Sequence, residues 1–326
     1  MADIDSHIPS HLENRRLHRY RGDGQDLRMA DFESGDQVRV RRLYEGVDRV
    51  YQAWLVSPSD PPWNAVLEAA LALTAPDFHA QAATLGDRSR AAGPENSRLQ
   101  RVVHDIRGGG LTPAMLNAAL IDDGAPDVKL LQTIVYLCRD HAKIMRNAVV
   151  DIDPTQRARD EEERPHGVAA LLGAWDGRLH RVGGGEAVVR TDASWEGHLS
   201  SCCLEVSAVD RVLYNHVNNA TRFAADGTVC VHASAATEAV ARITVSNSVD
   251  AQQAEWLRTR LAEDPGAPYR PGVTRGGQGL GLTNAAAFVA AAFGLDHPGE
   301  AVDGGYLGAR LDDHRYVAWF HWPIFG

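Results

Sequence analysis

The stretch Asp210–Ala224 constrains the fold of this chain more than any other segment. Its apolar residues recur at three- and four-residue spacing without an intervening Gly or Pro, which predicts an amphipathic helix. Asn215 and Asn219 then lie one turn apart on a shared face. Such a pair of neutral carboxamide oxygens, beside a phosphate site, suits a Mg²⁺ that also keeps nucleotide oxygens and water. The residues alone leave a second interpretation open, a helix with two asparagines on its solvent-facing side.

A glycine-rich run, Arg275–Leu282, comes directly before the apolar segment Thr283–Gly294. The apolar segment predicts a helix that ends at Gly294. Glycines let backbone N–H groups approach phosphates closely, and the start of a helix adds a favourable dipole at the same place. The run therefore indicates a phosphate-binding loop, with close approach at Gly277, Gly279 and Gly281.

Both segments resemble motifs of the histidine-kinase ATPase domain, the GHKL fold shared with gyrase and Hsp90. YNHVNNATRFA resembles the N box and GGQGLGLTNA the G2 box, and the order of motifs matches the family from about residue 187 to the end of the chain. The resemblance implies an α/β-sandwich domain in which Asn219 binds Mg²⁺, Asn215 lies toward the phosphates and Arg222 replaces the usual basic residue. It also implies a phosphate loop formed by Gly277, Gly279, Leu280 and Gly281.

The position that normally recognises adenine departs from the family pattern. The alternating segment Ala241–Val245 predicts a strand that ends at Asn247, where the family usually has an Asp followed by a Gly-x-Gly turn. Ser248, Val249 and Asp250 follow instead. Asn247 can accept a hydrogen bond from the adenine amino group, but it carries no charge. We therefore expect ATP to bind, and to bind weakly.

Two amphipathic stretches precede this domain. The first, Ser97–Asp122, is interrupted by Gly108–Gly110 and Pro113, and the second is Val128–Val149. They predict an αα-hairpin that is bent or loosened where the glycines occur. Each apolar stripe is larger than the other can cover, so we expect two hairpins to pair as the four-helix bundle of a homodimer.

His104 and Asp105 lie on the first of these stretches, in the run RVVHDIR. This run resembles the H box of the same family, in which an acidic residue follows the phosphoacceptor histidine. The resemblance implies that His104 is the nucleophile and Asp105 the general base, since a carboxylate can hold the proton on one ring nitrogen and free the other. The alternatives are an ordinary surface or core histidine at this position, and His141 on the second stretch as phosphoacceptor.

The N-terminal region yields fewer inferences. Residues 1–35 are polar and show no apolar period, so we expect a poorly ordered tail. Apolar spacing between Val40 and Trp54 predicts a helix, and Trp63–Leu73 predicts a second one that Asp60 caps. This region is interpreted either as an input or docking module or as an extension of the dimer stem.

Composition excludes several classes of function. The formal net charge of −10 disfavours nucleic-acid binding. There is no run of about eighteen apolar residues and no signal-peptide core, so we expect a cytoplasmic protein without a membrane span. Four cysteines, Cys138, Cys202, Cys203 and Cys230, lack metal-binding spacing and are expected to be reduced thiols. The alternative is a redox-sensing role for Cys138 or for the adjacent pair.

These inferences combine into an α+β chain of three parts. We expect an N-terminal helical extension or input region (1–95), a dimerisation and phosphotransfer hairpin (96–150), and a linker with a GHKL-type ATP-binding domain (151–326). The expected protein is a two-component histidine kinase that phosphorylates His104 from Mg-ATP and passes the phosphoryl group to an Asp of a response regulator. The alternatives are a histidine phosphotransferase or adaptor with a degenerate ATPase domain, and a non-catalytic GHKL-type binding regulator.

Overall fold

A computed structural model describes residues 27–87, 97–108, 110–121, 127–182, 184–262, 264–273 and 281–325. These residues divide into two compact units, a helical unit (27–160) and a sheet unit (161–325). Most of the tail predicted for residues 1–35 lies outside the described residues, and α-helix begins at Ser34. Among the described helices, none combines the length and hydropathy needed to cross a bilayer.

The described part of the helical unit contains seven α-helices. Their bounds are α1 (Ser34–Leu55), α2 (Trp63–Ala72), α3 (Pro76–Thr84), α4 (Ser97–Arg107), α5 (Leu111–Ala118), α6 (Val128–Ala148) and α7 (Pro154–Asp160). The predicted helices in α1, α2 and α6 are confirmed. The predicted cap of α2 is wrong, because Pro62 holds the cap position and no side chain bonds there. The segment that was expected to be a linker contains α7.

One hydrophobic core joins α1 to the hairpin helices. Helix α1 packs along α6, and each contributes side chains that have no solvent exposure, including Val47 and Val50 of α1 and Leu131 and Val135 of α6. The apolar stripe of α6 is thus covered within the chain. The predicted four-helix bundle depends on an apolar stripe that the hairpin alone leaves exposed. Because α1 buries the stripe of α6, the dimeric bundle stays a prediction.

The interruption of the first hairpin helix is confirmed, since α4 ends at Arg107 and α5 begins at Leu111. Gly110 in the interruption lies against α6. A Cβ at this position would be 2.7 Å from the carbonyl oxygen of Leu137 and 3.1 Å from Cβ of His141. Only glycine permits this approach, so Gly110 serves the packing of two helices as well as the interruption.

The described part of the sheet unit contains eight strands and five α-helices. Their bounds are β1 (Glu163–Gly167), α8 (Val168–Gly173), β2 (Leu179–Val182), β3 (Gly185–Ala193), β4 (His198–Cys202), α9 (Cys203–Phe223), β5 (Thr228–Ala235), β6 (Val240–Ser248), α10 (Ala251–Leu261), α11 (Gly281–Ala292), α12 (Pro298–Asp303), β7 (Leu307–Asp312) and β8 (Arg315–Pro323). Strands β1 and β4 form a small antiparallel sheet. The other six pair in the order β2-β3-β5-β6-β8-β7.

The larger sheet is mixed. Only the β3–β5 pair is parallel among these described strands, and its crossover contains β4 and α9. Residues of α9 and α11 share one core with alternating residues of β5 and β6. The chain is therefore α+β, with a helical part followed by an α/β sandwich, as predicted. The predicted hairpin near the end of the chain is also confirmed, and its turn uses Asp313 with a φ of 57°.

The two compact units differ in extent from the predicted parts 1–95, 96–150 and 151–326. Residues 27–87 share a core with the hairpin instead of forming a separate body. The boundary of a functional domain need not coincide with the boundary between two compact units. The three-part division therefore stays a prediction.

Candidate functional site

Helix α9 carries the two asparagines of the predicted nucleotide site. The helix begins at Cys203, two turns before the predicted start, because Leu204 and Ala208 continue its buried face. Asn215 and Asn219 are half-buried, and neither has a hydrogen-bonding partner among the described residues. Their amide oxygens are thus available to a ligand.

The neighbouring Asn218 is in a different situation. Its Oδ1 accepts a hydrogen bond of 2.5 Å from Nε2 of His180, and it also bonds Tyr214. The rings of His180, Tyr214 and Trp175 contact one another, and Trp175 donates from Nε1 to Asp210 at 2.8 Å. Burial lowers the pKa of His180, which favours the neutral ring. Asn218 is therefore a structural residue that fixes the helix to β2, whereas Asn215 and Asn219 are unengaged.

The start of α11 reaches Asn215. A Cβ added at Gly281 would lie 3.3 Å from Oδ1 of Asn215, so the backbone of the helix start passes close to that amide. The structure thus brings together one residue of the predicted N box and one of the predicted G2 box. Three other predicted loop residues, Gly277, Gly279 and Leu280, lie outside the described residues.

Two further contacts hold α9 against the elements around it. The guanidinium of Arg211 lies 4.0 Å from the ring centroid of Phe288 in α11, a cation–π arrangement. His216 is fully buried, donates from Nδ1 to the carbonyl of Val212 at 2.7 Å and contacts the hydroxyl of Tyr269 through Nε2 at 2.9 Å. Burial lowers the pKa of His216 to about 4, so the ring is neutral at pH 7. His216 therefore ties Tyr269 to α9.

Asn247 occupies the position where the adenine-binding Asp was expected. It is the penultimate residue of β6, with 4% of its surface exposed. Its Nδ2 donates to the carbonyl of Ser248 at 2.9 Å, and its Oδ1 is buried without a hydrogen-bonding partner. An unpaired buried acceptor is costly unless a ligand or water completes it. This orientation leaves the acceptor that an adenine amino group requires.

Tyr316 is a candidate that sequence reasoning missed. It pairs with Asn247 across β6 and β8, so both side chains lie on the same face of the sheet. Its hydroxyl is also buried without a hydrogen-bonding partner, and burial raises the pKa of Tyr316. The signal that could have identified it is the predicted terminal hairpin, once paired with the strand that ends at Asn247.

These residues fit a purine nucleotide and its Mg²⁺. A purine edge offers a donor and acceptors, which match the unpaired Asn247 oxygen and Tyr316 hydroxyl. Asn219 and Asn215 offer amide oxygens of the kind that Mg²⁺ accepts next to phosphates. Arg222 is half-buried on the same helix, with its guanidinium 5.5 Å from the ring centroid of Phe223. It is a positive charge on the helix that carries Asn219.

His104 lies near the end of α4 in the helical unit. Its side chain is 31% exposed, and Nδ1 lies 3.2 Å from Oδ1 of Asp105, whose side chain is 8% exposed. A proton on Nδ1 is held by that carboxylate, which leaves Nε2 with the lone pair. His141, the competing phosphoacceptor, has no solvent exposure in α6. A nucleotide cannot reach His141 unless the core opens, so His104 is the better candidate.

No protein-family model and no curated protein matches the sequence. Among solved structures, the chain is similar to full-length ShkA in complex with AMPPNP, with 20% identity over 75% of this chain and a TM-score of 0.35. It spans 45% of the length of ShkA.

Two further similarities are to histidine kinase AdeS of Acinetobacter baumannii and to histidine kinase ThkA in complex with response regulator protein TrrA. The AdeS match has 14% identity, covers 68% of this chain and 98% of that one, and has a TM-score of 0.28. The ThkA match has 12% identity, covers 77% and 68%, and has a TM-score of 0.27. AdeS and ThkA belong by name to the histidine kinases, which is the family that the motifs of this chain resemble.

Proposed function

We propose that the protein is a two-component histidine kinase that phosphorylates His104 from Mg-ATP. The observation that carries the proposal is the contrast among three asparagines of α9. Asn218 is engaged by His180 and Tyr214, whereas Asn215 and Asn219 are unengaged, and Asn215 meets the start of α11 at Gly281. Two free amides beside a glycine at a helix start form an arrangement suited to phosphates and Mg²⁺.

Each residue has a part in this chemistry. The Oδ1 of Asn247 accepts from the base, and the amides of Asn215 and Asn219 orient the phosphate end. Mg²⁺ at Asn219 would offset charge on the phosphate oxygens. Asp105 holds the proton on Nδ1 of His104, and Nε2 attacks the γ-phosphorus. A P–N bond forms, and the bond from the γ-phosphorus to its bridging oxygen breaks, which releases ADP.

The phosphorylated histidine then needs an acceptor. The resemblance of the H box implies the receiver domain of a response regulator, whose Asp carboxylate takes the phosphoryl group from His104. Because His104 belongs to the helical unit and the nucleotide residues belong to the sheet unit, the reaction requires the two units to meet, in one chain or between two copies. We extend the proposal to a homodimer on the resemblance alone.

A second candidate keeps His104 and drops the ATPase. It is a histidine phosphotransferase that relays phosphate between regulators, and it is favoured by the tight connection after Asn247. Asp250 caps α10 by accepting from the backbone N–H of Gln253 at 2.7 Å, so β6 leads into α10 without the usual glycine turn. That connection leaves less freedom for an adenine to enter.

One experiment separates the candidates. Full-length protein is incubated with Mg²⁺ and γ-labelled ATP, or with a phosphorylated response regulator, alongside the His104→Ala variant. A kinase is labelled from ATP, and the label disappears in His104→Ala. Labelling from the regulator alone supports the relay. The absence of labelling from either source would contradict both and favour a regulator that acts by binding.

A further inference from the structure

Ser194, His232 and Asp192 form a hydrogen-bonded triad on the sheet unit. Nε2 of His232 on β5 lies 3.3 Å from Oγ of Ser194, and Nδ1 of the same ring lies 3.2 Å from Oδ2 of Asp192 on β3. Because an ionised carboxylate only accepts, Asp192 holds a proton on Nδ1 and leaves the lone pair of Nε2 toward the hydroxyl. A nucleophile, a base and a group that orients the base are thus connected in the order that nucleophilic catalysis requires.

Backbone pairing positions the triad where β3 ends. Asp192 is the direct partner of His232 in the parallel β3–β5 ladder, and Ser194 is the first residue after β3. The backbone N–H of Ser194 donates to the carbonyl of Ala233 at 3.0 Å, which holds the serine beside β5 after the strand has ended. In open α/β sheets, ligands bind at this end of parallel strands.

The triad is open to solvent and separate from the core of the sheet unit. The side chain of His232 is 34% exposed and that of Asp192 is 80% exposed, and Ser194 is exposed as well. The neighbours of His232 along β5, Val231 and Ala233, are buried in the core that β5 shares with α9. Side chains alternate along a strand, so His232 lies on the other face of the sheet. A small molecule in solution can therefore reach the serine.

A backbone donor follows the serine directly. The N–H of Trp195 donates no hydrogen bond within the ranges that the structure describes. The N–H of the residue after a nucleophilic serine is a recurrent component of an oxyanion hole, which stabilises the charge that develops on a carbonyl oxygen. The triad thus has a neighbouring group of the kind that acyl transfer uses.

We propose that the triad is a second catalytic site, which hydrolyses small carboxylic esters with good leaving groups. Nε2 of His232 takes the proton of the Ser194 hydroxyl as Oγ attacks the carbonyl carbon. The bond to the alkoxy oxygen then breaks, and the leaving alcohol takes the proton from His232. Water attacks the acyl-serine with His232 as its base, which releases the carboxylic acid and restores the hydroxyl of Ser194. Asp192 is the positioning residue that orients the imidazole.

The test uses the full-length protein and two probes. Hydrolysis of p-nitrophenyl acetate reports turnover through the absorbance of p-nitrophenolate. A fluorophosphonate with a short alkyl chain reports the reactive serine, because Oγ displaces fluoride from phosphorus and the adduct is localised by fragment mass spectrometry. The matched control is Ser234, which is half-buried on β5 two residues after His232 and whose hydroxyl has no hydrogen-bonding partner among the described residues. We expect Ser194 to be labelled about 100-fold faster than Ser234, the usual order of acid–base assistance.

Four variants assign the roles. Ser194→Ala should abolish the adduct and reduce ester hydrolysis to the background, whereas Ser234→Ala should change neither. His232→Gln should bring the labelling of Ser194 down to the rate of Ser234. Asp192→Asn should lower kcat for p-nitrophenyl acetate by a smaller factor and leave KM unchanged, because water can bond the exposed ring in its place and Asp192 does not contact the substrate.

Three results would overturn the proposal. The first is labelling of Ser194 no faster than that of Ser234 in the wild type, a comparison that needs no variant. The second is a wild-type labelling rate in His232→Gln with an unchanged melting temperature. The third is wild-type turnover of p-nitrophenyl acetate no higher than that of Ser194→Ala. None of these measurements uses ATP, so they test the triad independently of the proposed kinase.

Discussion

At the scale of single residues, the proposed function makes Asn247 the residue that sets how tightly the nucleotide base is held. Replacing it by Asp supplies a charged acceptor for the base, which is stronger than the amide by about 1 kcal/mol. The same change removes the amide N–H that donates to the carbonyl of Ser248, and it buries a charge. We predict that Asn247→Asp binds ATP about fivefold more tightly, while the nucleotide-free protein loses about 1–3 kcal/mol of stability.

Titration calorimetry with ATP and urea unfolding without it measure the two effects, with Asn247→Ala as the control that lacks any acceptor. Equal or weaker ATP binding in Asn247→Asp would show that the site is organised around the amide.

Two buried histidines, His216 and His321, determine how the stability of the sheet unit decreases at acidic pH. Burial lowers the pKa of His216 to about 4, and burial with the nearby Arg242 lowers that of His321 to about 3, from 6.5 in the unfolded chain. Below about pH 6.5 these histidines bind protons in the unfolded chain but not in the folded unit. The free energy of unfolding therefore decreases as the pH is lowered. We predict a loss of about 2 kcal/mol for each histidine between pH 6.5 and pH 5.

Urea unfolding followed by tryptophan fluorescence tests this, because five of the seven tryptophans belong to the sheet unit. His321→Gln should lose about half of the pH dependence. A stability that is constant from pH 7.5 to pH 5 would contradict the assignment of neutral buried rings.

At the scale of elements, the junction of α4 and α5 depends on a glycine. A methyl group at Gly110 would meet the backbone of α6 at 2.7 Å, which no side-chain rotation relieves. We predict that Gly110→Ala destabilises the helical unit by about 1–3 kcal/mol, the usual cost of overpacking. The matched control is Gly35→Ala in α1, where the added methyl meets only the flexible end of Arg39 and should be neutral or stabilising.

Thermal unfolding of both variants provides the comparison. Equal melting temperatures for Gly110→Ala and Gly35→Ala would mean that α6 can move away, and that the close approach does not support the fold.

Local pattern predicted the elements, and tertiary contacts decided what the pattern left open. Periodicity identified α9 and α11, and the glycines identified the interruption after His104. The sequence could not predict which element packs against α6, because either α1 or a second copy of the chain could bury its apolar stripe. The same limit applies at the site. Asn215, Asn218 and Asn219 look alike in sequence, and only the position of His180 on β2 shows which amide is engaged.

At the scale of the whole molecule, the residues of the proposed reaction belong to two different units. His104 and Asp105 belong to the helical unit, and Asn215, Asn219 and Asn247 belong to the sheet unit. Neither unit alone contains both the nucleophile and the nucleotide residues. The proposed kinase therefore holds Mg-ATP with amides of α9 and transfers the phosphoryl group to a histidine of the other unit.

The most direct measurement compares two neighbouring amides of one helix. Labelling of the full-length protein from γ-labelled ATP and Mg²⁺ is followed over time in wild type, Asn219→Ala and Asn218→Ala. Asn219→Ala should reduce the rate at least about 100-fold with an unchanged melting temperature, since metal-assisted charge stabilisation is worth several kcal/mol. Asn218→Ala should lower the melting temperature, because it loses the bond to His180, and should keep labelling. A wild-type rate in Asn219→Ala, or loss of labelling only in Asn218→Ala, would contradict the account.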